Sequence, residues 1–306
     1  MIRYTLRQLE YFVACVEQGS VAKAAAALNV SQPTVSVAIA KLETAFGVQL
    51  LLRHPSQGVS PTASAEAILH SARGLLAHAK DLQREATEAG TAVAGTVRAG
   101  SFSTFAPVIL PGLLARLGEV YPGIAVQIRE GTQETLCRDL RDGALDLALL
   151  YDLDLPDDLH RVALAERVPH VALPQGHRLA ERKAVALADL VDENLILLDV
   201  PPSRDYFLGL FRQAGLEPTL AFSSPSLELV RGMVGRGLGY SILVTRPEGD
   251  MTYDGHALAI RPLRDPVAAS PIVVARPMSL RPTRLVEAFE EVARGFFDDV
   301  TQQNVL

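Results

Sequence analysis

The stretch LNVSQPTVSVAIAKLETAFG, Leu28–Gly47, admits few folds. Ser31 is a helix N-cap, offering its side-chain oxygen to the first free N–H groups. Pro33 falls in the first turn, where its missing N–H costs nothing. Val35, Ile39, Leu42 and Phe46 then recur at spacings of 4, 3 and 4, one apolar stripe of a helix that Gly47 stops. That leaves Gln32, Pro33, Ser36, Val37 and Ala40 on the outer side. Upstream, LRQLEYFVACVEQG places Leu9, Phe12, Val13 and Val16 at helical spacing, and Gly19 ends that helix. Ser20 caps a short second helix, Val21–Leu28, whose alanines allow close packing, and Asn29-Val30 makes a tight turn. Downstream, VQLLLRHPSQGVSPT reads as strand, turn (Pro55–Gly58) and strand, a small wing.

Two helices joined by a tight turn, the second opening with short polar residues, form a helix-turn-helix, whose second helix enters the major groove by its N-terminal end. Gln can address adenine bidentately, Ser and Thr reach bases or phosphates, and a helix N-terminus favours phosphate. A plain capped helix in an all-α subdomain would account for Ser31 and Pro33. It would leave the wing with Arg53, and the long helix after it, without a reason.

The net charge of −6 argues at first against a nucleic-acid partner. Residues 1–62, however, carry five basic side chains (Arg3, Arg7, Lys23, Lys41, Arg53) against three acids (Glu10, Glu17, Glu43). A front end so weakly basic needs two copies or specific contacts to hold DNA. A second copy is expected from Ser64–Glu88, where Ile68, Ala72, Leu75, Ala79, Leu82 and Ala86 repeat at spacings of 4 and 3 over about three heptads. The competing reading is a helix packed on its own subunit. His70 and His78 lie on this helix and are expected to face solvent.

At 306 residues the chain should hold two or three domains. From about Thr91 the strands VRAGSF, IAVQIRE, DLALLY and LILLD alternate with helices at Val108–Val120, Thr132–Asp142, Asp205–Ala214 and Leu227–Arg236. Alternation of this kind predicts an α/β domain with mainly parallel sheets, whose ligands bind at the carboxyl ends of strands. GSFSTF puts Ser101, Ser103 and Thr104 at such a junction, EGTQ puts Thr132 at another, and DVPPSRDYF puts Ser203 and Arg204 at a third. Three helix N-termini around one crevice would suit an anionic or amide-bearing molecule. Each hydroxyl could equally be an ordinary cap.

Catalytic signatures are missing. GRGLGYS, Gly235–Ser241, ends a helix and opens a strand, the reverse of a nucleotide-binding loop. No HExxH, no GxSxG and no metal-like grouping of the seven histidines occurs, so neither enzyme, metal nor cofactor is expected. Cys15 and Cys137 form no CxxC pair and read as structural thiols. No signal peptide and no run of about 18 apolar residues is found, so the cytoplasm is the expected compartment and no membrane partner is expected.

The residues also carry a family resemblance. LRQLEYFVACVEQGSVAKAAAALNVSQPTVSVAIAKLETAFGVQLLLR, followed by GVSPTASA, closely resembles the DNA-binding domain of LysR-type transcriptional regulators. LPGLLARLGEVYPGIAVQIREGTQETLCRDLRDGALDLALL and VRGMVGRGLGYSIL resemble that family's effector domain, a pattern shared with periplasmic binding proteins. The resemblance implies a multidomain chain: an all-α winged helix-turn-helix (1–63), a linker helix (64–90) and an α/β two-lobed, periplasmic-binding-protein-like (type 2) domain (91–306). Lobe I would take about 91–163 and 268–306, lobe II about 164–267. The implied partners are double-stranded DNA, a small-molecule effector in the crevice and further copies of the chain as homodimer or homotetramer, with RNA polymerase as a further candidate. By position, Gln32, Pro33, Thr34 and Ser36 would meet bases and phosphates, and Arg53 of the wing would approach the minor groove. Many members carry Arg and Gln after the helix serine; here Val37 and Ala38 stand there, so a charged base reader is missing. The alternative, a small-molecule-binding protein or enzyme with a helical front domain, would need a secretion signal or a catalytic set. A DNA-architectural protein would not need an α/β domain of such size.

Overall fold

The computed structural model describes residues 3–54, 58–87 and 93–302. The N-terminal unit has three helices: α1 (Leu6–Gln18), α2 (Val21–Ala27) and α3 (Gln32–Phe46). Each starts on a side chain that accepts from the helix. Thr5 forms a capping box with Gln8, Ser20 accepts from the Lys23 N–H, and Ser31 accepts from the Thr34 N–H. Gly19 and Gly47 end α1 and α3 in the left-handed region, and Asn29 turns the chain with φ of 55°. Leu9, Phe12, Cys15, Ala24, Val35, Ile39 and Leu42 bury together as one core, with Phe46 edge-on against Tyr4.

The wing is an antiparallel pair, β1 (Leu51–His54) and β2 (Gly58–Pro61). Apart from Gly58, its expected turn lies outside the described residues. Its base docks on the end of α1, where the Val59 N–H donates to the Gly19 carbonyl at 2.9 Å. The long helix α4 (Ala63–Thr87) follows. Ala65, Leu69 and Ala72 complete the N-terminal core, with Ile68 against it, whereas Leu75 and Leu82 of the expected stripe stay exposed. The Ala86 side chain lies outside the described residues. His70 and His78 are half-buried rather than facing solvent: His70 reaches Ser279 at 3.4 Å and His78 the Gly74 carbonyl at 2.9 Å.

The C-terminal domain is two α/β lobes. The first comprises β3 (Gly95–Phe102), α5 (Ala106–Val120), β4 (Ile124–Gly131), α6 (Gln133–Arg141), β5 (Leu147–Tyr151) and β6 (Leu159–Arg167). The second holds β7 (His170–Pro174), β8 (Asn194–Leu198), α7 (Ser203–Gln213), β9 (Thr219–Ser224), α8 (Leu227–Gly235), β10 (Ser241–Leu243) and β11 (Leu258–Pro262). The chain then returns through β12 (Ser270–Pro277) and α9 (Arg284–Gln302). Sheet order is β4-β3-β5-β12-β6 in the first lobe, and β10-β7-β11 with a separate β8-β9 pair in the second.

The expectation of mainly parallel sheets is corrected here. β3 pairs parallel with β4 and β5, and β8 with β9, but β12 runs antiparallel between β5 and β6, and β7 antiparallel to β10 and β11. The reason is topological: the chain crosses between lobes twice, β6 to β7 and β11 to β12, so the returning strand enters the first sheet from the opposite end. Among the described residues, no helix is long and apolar enough to cross a membrane.

Gly47 and Gly58 both have left-handed backbones, yet a Cβ at Gly47 would meet nothing within 4 Å, whereas one at Gly58 would lie 2.1 Å from the Gly19 carbonyl oxygen. Gly47→Ala should therefore cost only the conformational penalty, about 1–2 kcal/mol. Gly58→Ala should cost more and detach the wing. Chemical denaturation followed by circular dichroism compares the two; equal losses would show that the wing is not seated on α1.

Candidate nucleic-acid interface and ligand cleft

The face of α3 away from the core starts at its cap. The Ser31 hydroxyl accepts from the Thr34 N–H at 3.3 Å and lies 2.7 Å from the Thr34 hydroxyl, so the two share one bond. Gln32, Pro33 and Thr34 are exposed and Ser36 is half-buried. The Gln32 amide and the Arg53 guanidinium on β1 make no hydrogen bond or ion pair among the described residues, which leaves both available. Thr34 is partly committed to the cap.

Between the start of α1 and this face lies a hollow of about 570 Å³, lined in part by Arg7, Tyr11, Pro33, Thr34, Val37 and Lys41. Val37 is 54% exposed there. Arg7 and Lys41 flank it, Arg7 held by its Nε donating to the Tyr11 hydroxyl at 3.1 Å. Sequence reasoning missed both as site residues, because they belong to different helices. The signal was available: Lys41 is one helical turn past Val37. The hollow contains two basic groups and no acid, so the positive charge absent from positions 37 and 38 is supplied beside them.

In the C-terminal domain a cavity of about 750 Å³ opens between the lobes. Lobe I contributes Ser103, Thr104, Pro107, Val108, Gly112 and Phe296; the other wall comes from Pro225–Glu228, Pro247, Glu248 and Tyr253. Of the six residues singled out from the sequence, Ser103 and Thr104 line it. Ser101, on β3, is fully buried and its hydroxyl has no partner among the described residues. Thr132 accepts from the Thr135 N–H at 3.3 Å, capping α6. Ser203 opens α7 and is buried, while Arg204 is tied to Asp199 at 3.2 Å. The cavity wall contains two carboxylates and no Lys, Arg or His. Glu228 Oε1 lies 3.1 Å from the fully buried Arg231, its Oε2 is buried without a partner, and Arg246 pairs with Asp250.

A few polar contacts join the lobes. The Tyr151 and Thr245 hydroxyls share a buried hydrogen bond of 2.9 Å, and burial pushes the Tyr151 phenol up to about 12. His170, at the first crossing, is buried among Arg246, Arg231 and Asp250; burial first, then the two arginines against the weaker pull of Asp250, bring its pKa down to about 4.

A winged helix-turn-helix joined by one helix to a two-lobed α/β domain with a cavity between its lobes defines a DNA-binding transcriptional regulator with an effector-binding domain. Family comparisons agree: residues 6–66 match the bacterial regulatory helix-turn-helix protein, lysR family, and residues 90–298 the LysR substrate binding domain. The chain belongs to the LysR family. It is 34% identical over 239 residues to the hydrogen peroxide-inducible genes activator of Dickeya chrysanthemi, 78% of each chain. Among solved structures it is 43% identical to HinK, a LysR family transcriptional regulator from Pseudomonas aeruginosa (TM-score 0.65, covering 95% of this chain and 98% of that one). A full-length OxyR variant from Pseudomonas aeruginosa is 28% identical with TM-score 0.75, covering 95% and 97%.

His170 gives a pH prediction with a definite sign. Its folded pKa lies below the unfolded value of 6.5, so the unfolded chain binds the extra proton and stability falls as pH drops from 6.5 towards 4. The loss should reach on the order of 3 kcal/mol at the acid end. Denaturation midpoints at pH 7 and pH 5 should differ for the parent chain and differ less for His170→Asn; an unchanged pH dependence in the variant would place the acid sensitivity elsewhere.

Proposed function

We propose that this chain is a cytoplasmic, ligand-controlled regulator that reads DNA with Gln32, Pro33, Thr34 and Ser36 of α3, assisted by Arg7 and Lys41, while Arg53 of the wing enters the minor groove. The observation that carries the reading is the pairing of an uncovered, acid-free α3 face with a cavity of about 750 Å³ between two lobes. The domains run 1–63, 64–90 and 91–306, with lobe I about 91–163 and 268–306 and lobe II about 164–267. The exposed Leu75 and Leu82 on α4 suit a second copy, and a homodimer or homotetramer is the working assembly. RNA polymerase is the further partner such a regulator would meet.

The cavity wall narrows the effector class. Its only charged groups are Glu228 and Glu248, and Glu248 has no ion-pair partner among the described residues. A simple carboxylate would meet like charge there. An amide or amine, which donates hydrogen bonds, would instead find an acceptor in the Glu248 carboxylate. Ser103 and Thr104 line this cavity, and Ser101, Thr132, Ser203 and Arg204 are not among its lining residues.

One relative is named for hydrogen peroxide-inducible genes; this chain has no exposed thiol through which peroxide could act. Its two cysteines, Cys15 and Cys137, are both buried, and burial pushes the Cys15 thiol up to about 11. Reactive sensor thiols are exposed and have depressed pKa values.

Two experiments test this reading. On an operator taken from the DNA upstream of its own gene, Gln32→Ala should lose about 1–3 kcal/mol of specific binding, measured by fluorescence anisotropy. Arg53→Ala should weaken binding to every sequence and lower the salt slope by about one; a loss confined to the operator would contradict the minor-groove role. Calorimetry with panels of amides, amines and carboxylates should find ligands in the first two groups. Glu248→Gln should weaken amine binding by about 1.5–3 kcal/mol, and hydrogen peroxide should leave DNA affinity unchanged. Tight carboxylate binding insensitive to Glu248 would put the effector elsewhere.

A further inference from the structure

The outer face of α3 carries an apolar side chain at its middle. Pro33, Val37 and Lys41 follow one another at a spacing of 4, so they form a single ridge on the helix surface. Val37 is 54% exposed on that ridge, while Val35, Ile39 and Leu42 are buried and fix how α3 is rotated. The core thus holds Val37 outward. A valine in a helix is stiff at χ1, so it presents its methyl groups in one direction.

The polar groups beside Val37 are already engaged. The Ser31 and Thr34 hydroxyls share a bond, Thr5 and Gln8 close the capping box of α1, and the Tyr11 hydroxyl accepts from Arg7 Nε. Between them Pro33 and Val37 make an apolar floor, with a cation on each side. Arg7 stands on α1 with its guanidinium carbon 5.9 Å from the Tyr11 ring centroid. Lys41 stands one turn, about 6 Å, further along α3 than Val37. No carboxylate lines this hollow. Such a surface complements a DNA groove, in which base edges lie between two phosphate backbones.

Among the base edges of the major groove, only thymine carries a methyl group. The other edges present donors and acceptors there, which a valine would strip of water without replacing the lost bond. A valine in this place discriminates twice, by contact with one base and by desolvation of the others.

We propose that Val37 is a specificity-determining residue that reads the C5 methyl group of thymine in the major groove, with Arg7 and Lys41 on the flanking phosphates. This rests on the regulator reading above, in which α3 is the element that enters the groove.

The test replaces thymine by uracil, which has the same hydrogen-bonding edges and lacks only that methyl group. Duplexes that the full chain binds are first selected from a random-sequence pool. Each thymine of the selected site is then replaced in turn, and affinity is read by fluorescence anisotropy. At one position or more the parent should lose about fourfold, which is what burying one methyl-sized group contributes. Val37→Ala should bind the thymine duplex more weakly and be indifferent to uracil at those positions. Val37→Thr, which keeps one methyl group, should retain part of the sensitivity. Using the same duplexes for every protein cancels any effect of uracil on DNA shape. Val37 lies outside the N-terminal core and alanine is the better helix former, so Val37→Ala keeps its fold. Arg7→Ala and Lys41→Ala should each lower the salt slope by about one and leave the uracil effect in place. A parent that tolerates uracil at every position, or a Val37→Ala variant as sensitive as the parent, would overturn the proposal. A parent that selects no duplex at all would overturn the regulator reading itself, and the role of Val37 with it.

Discussion

One helix belongs to both halves of the molecule. The apolar side of α4 supplies Ala65, Leu69 and Ala72 to the N-terminal core, so α4 cannot shift without opening that core. Two residues past Ala72, the same helix carries Gly74 against Leu280 of lobe I. Both contacts lie on one continuous 25-residue helix. That double use of one helix seats the winged helix-turn-helix beside lobe I in this structure. It also explains why Leu75 and Leu82 remain in solvent: with one face of α4 in the N-terminal core and another on lobe I, a third face is left over.

The local chemistry of the N-terminal unit is legible in its amino-acid sequence. Ser20, Ser31, Gly19 and Gly47 act through their own backbone neighbourhoods, and each caps or ends the helix that its position implies. Four C-terminal helices, α5 to α8, are readable within one or two residues for the same reason, whereas α9 goes unread. Whatever depends on chain return is hidden. β12 is not among the strands expected from the sequence, and its arrival from the second lobe makes it antiparallel. The histidines of α4 are expected in solvent because nothing near them in sequence covers them; Ser279, more than two hundred residues away, reaches His70. Arg7 and Lys41 escape notice because their proximity is created by the packing of α1 on α3.

The candidate cleft divides in a similar way. Ser103 and Thr104 face the cavity as their junction suggests, but Thr132 spends its hydroxyl on its own helix and Arg204 its charge on Asp199. Glu228 and Glu248 come from α8 and the loop beyond β10, segments without a recognisable motif, and they decide the charge of the wall. Two chain crossings and a buried hydroxyl pair, Tyr151 with Thr245, join the lobes. A bound molecule touching both walls can bias such an arrangement only through its preference for one lobe separation.

The central claim is that the cleft and the DNA-binding face act on one equilibrium. Linkage makes this testable without knowing the path between them, because a ligand that changes DNA affinity by some factor must have its own affinity changed by DNA by the same factor. The measurement is calorimetric titration of an amide or amine found in the screen into the full chain, with and without saturating operator, set beside operator affinity with and without that compound. Equal factors different from one are the predicted result. A compound that binds between the lobes with the same affinity whether or not operator is present would contradict the account.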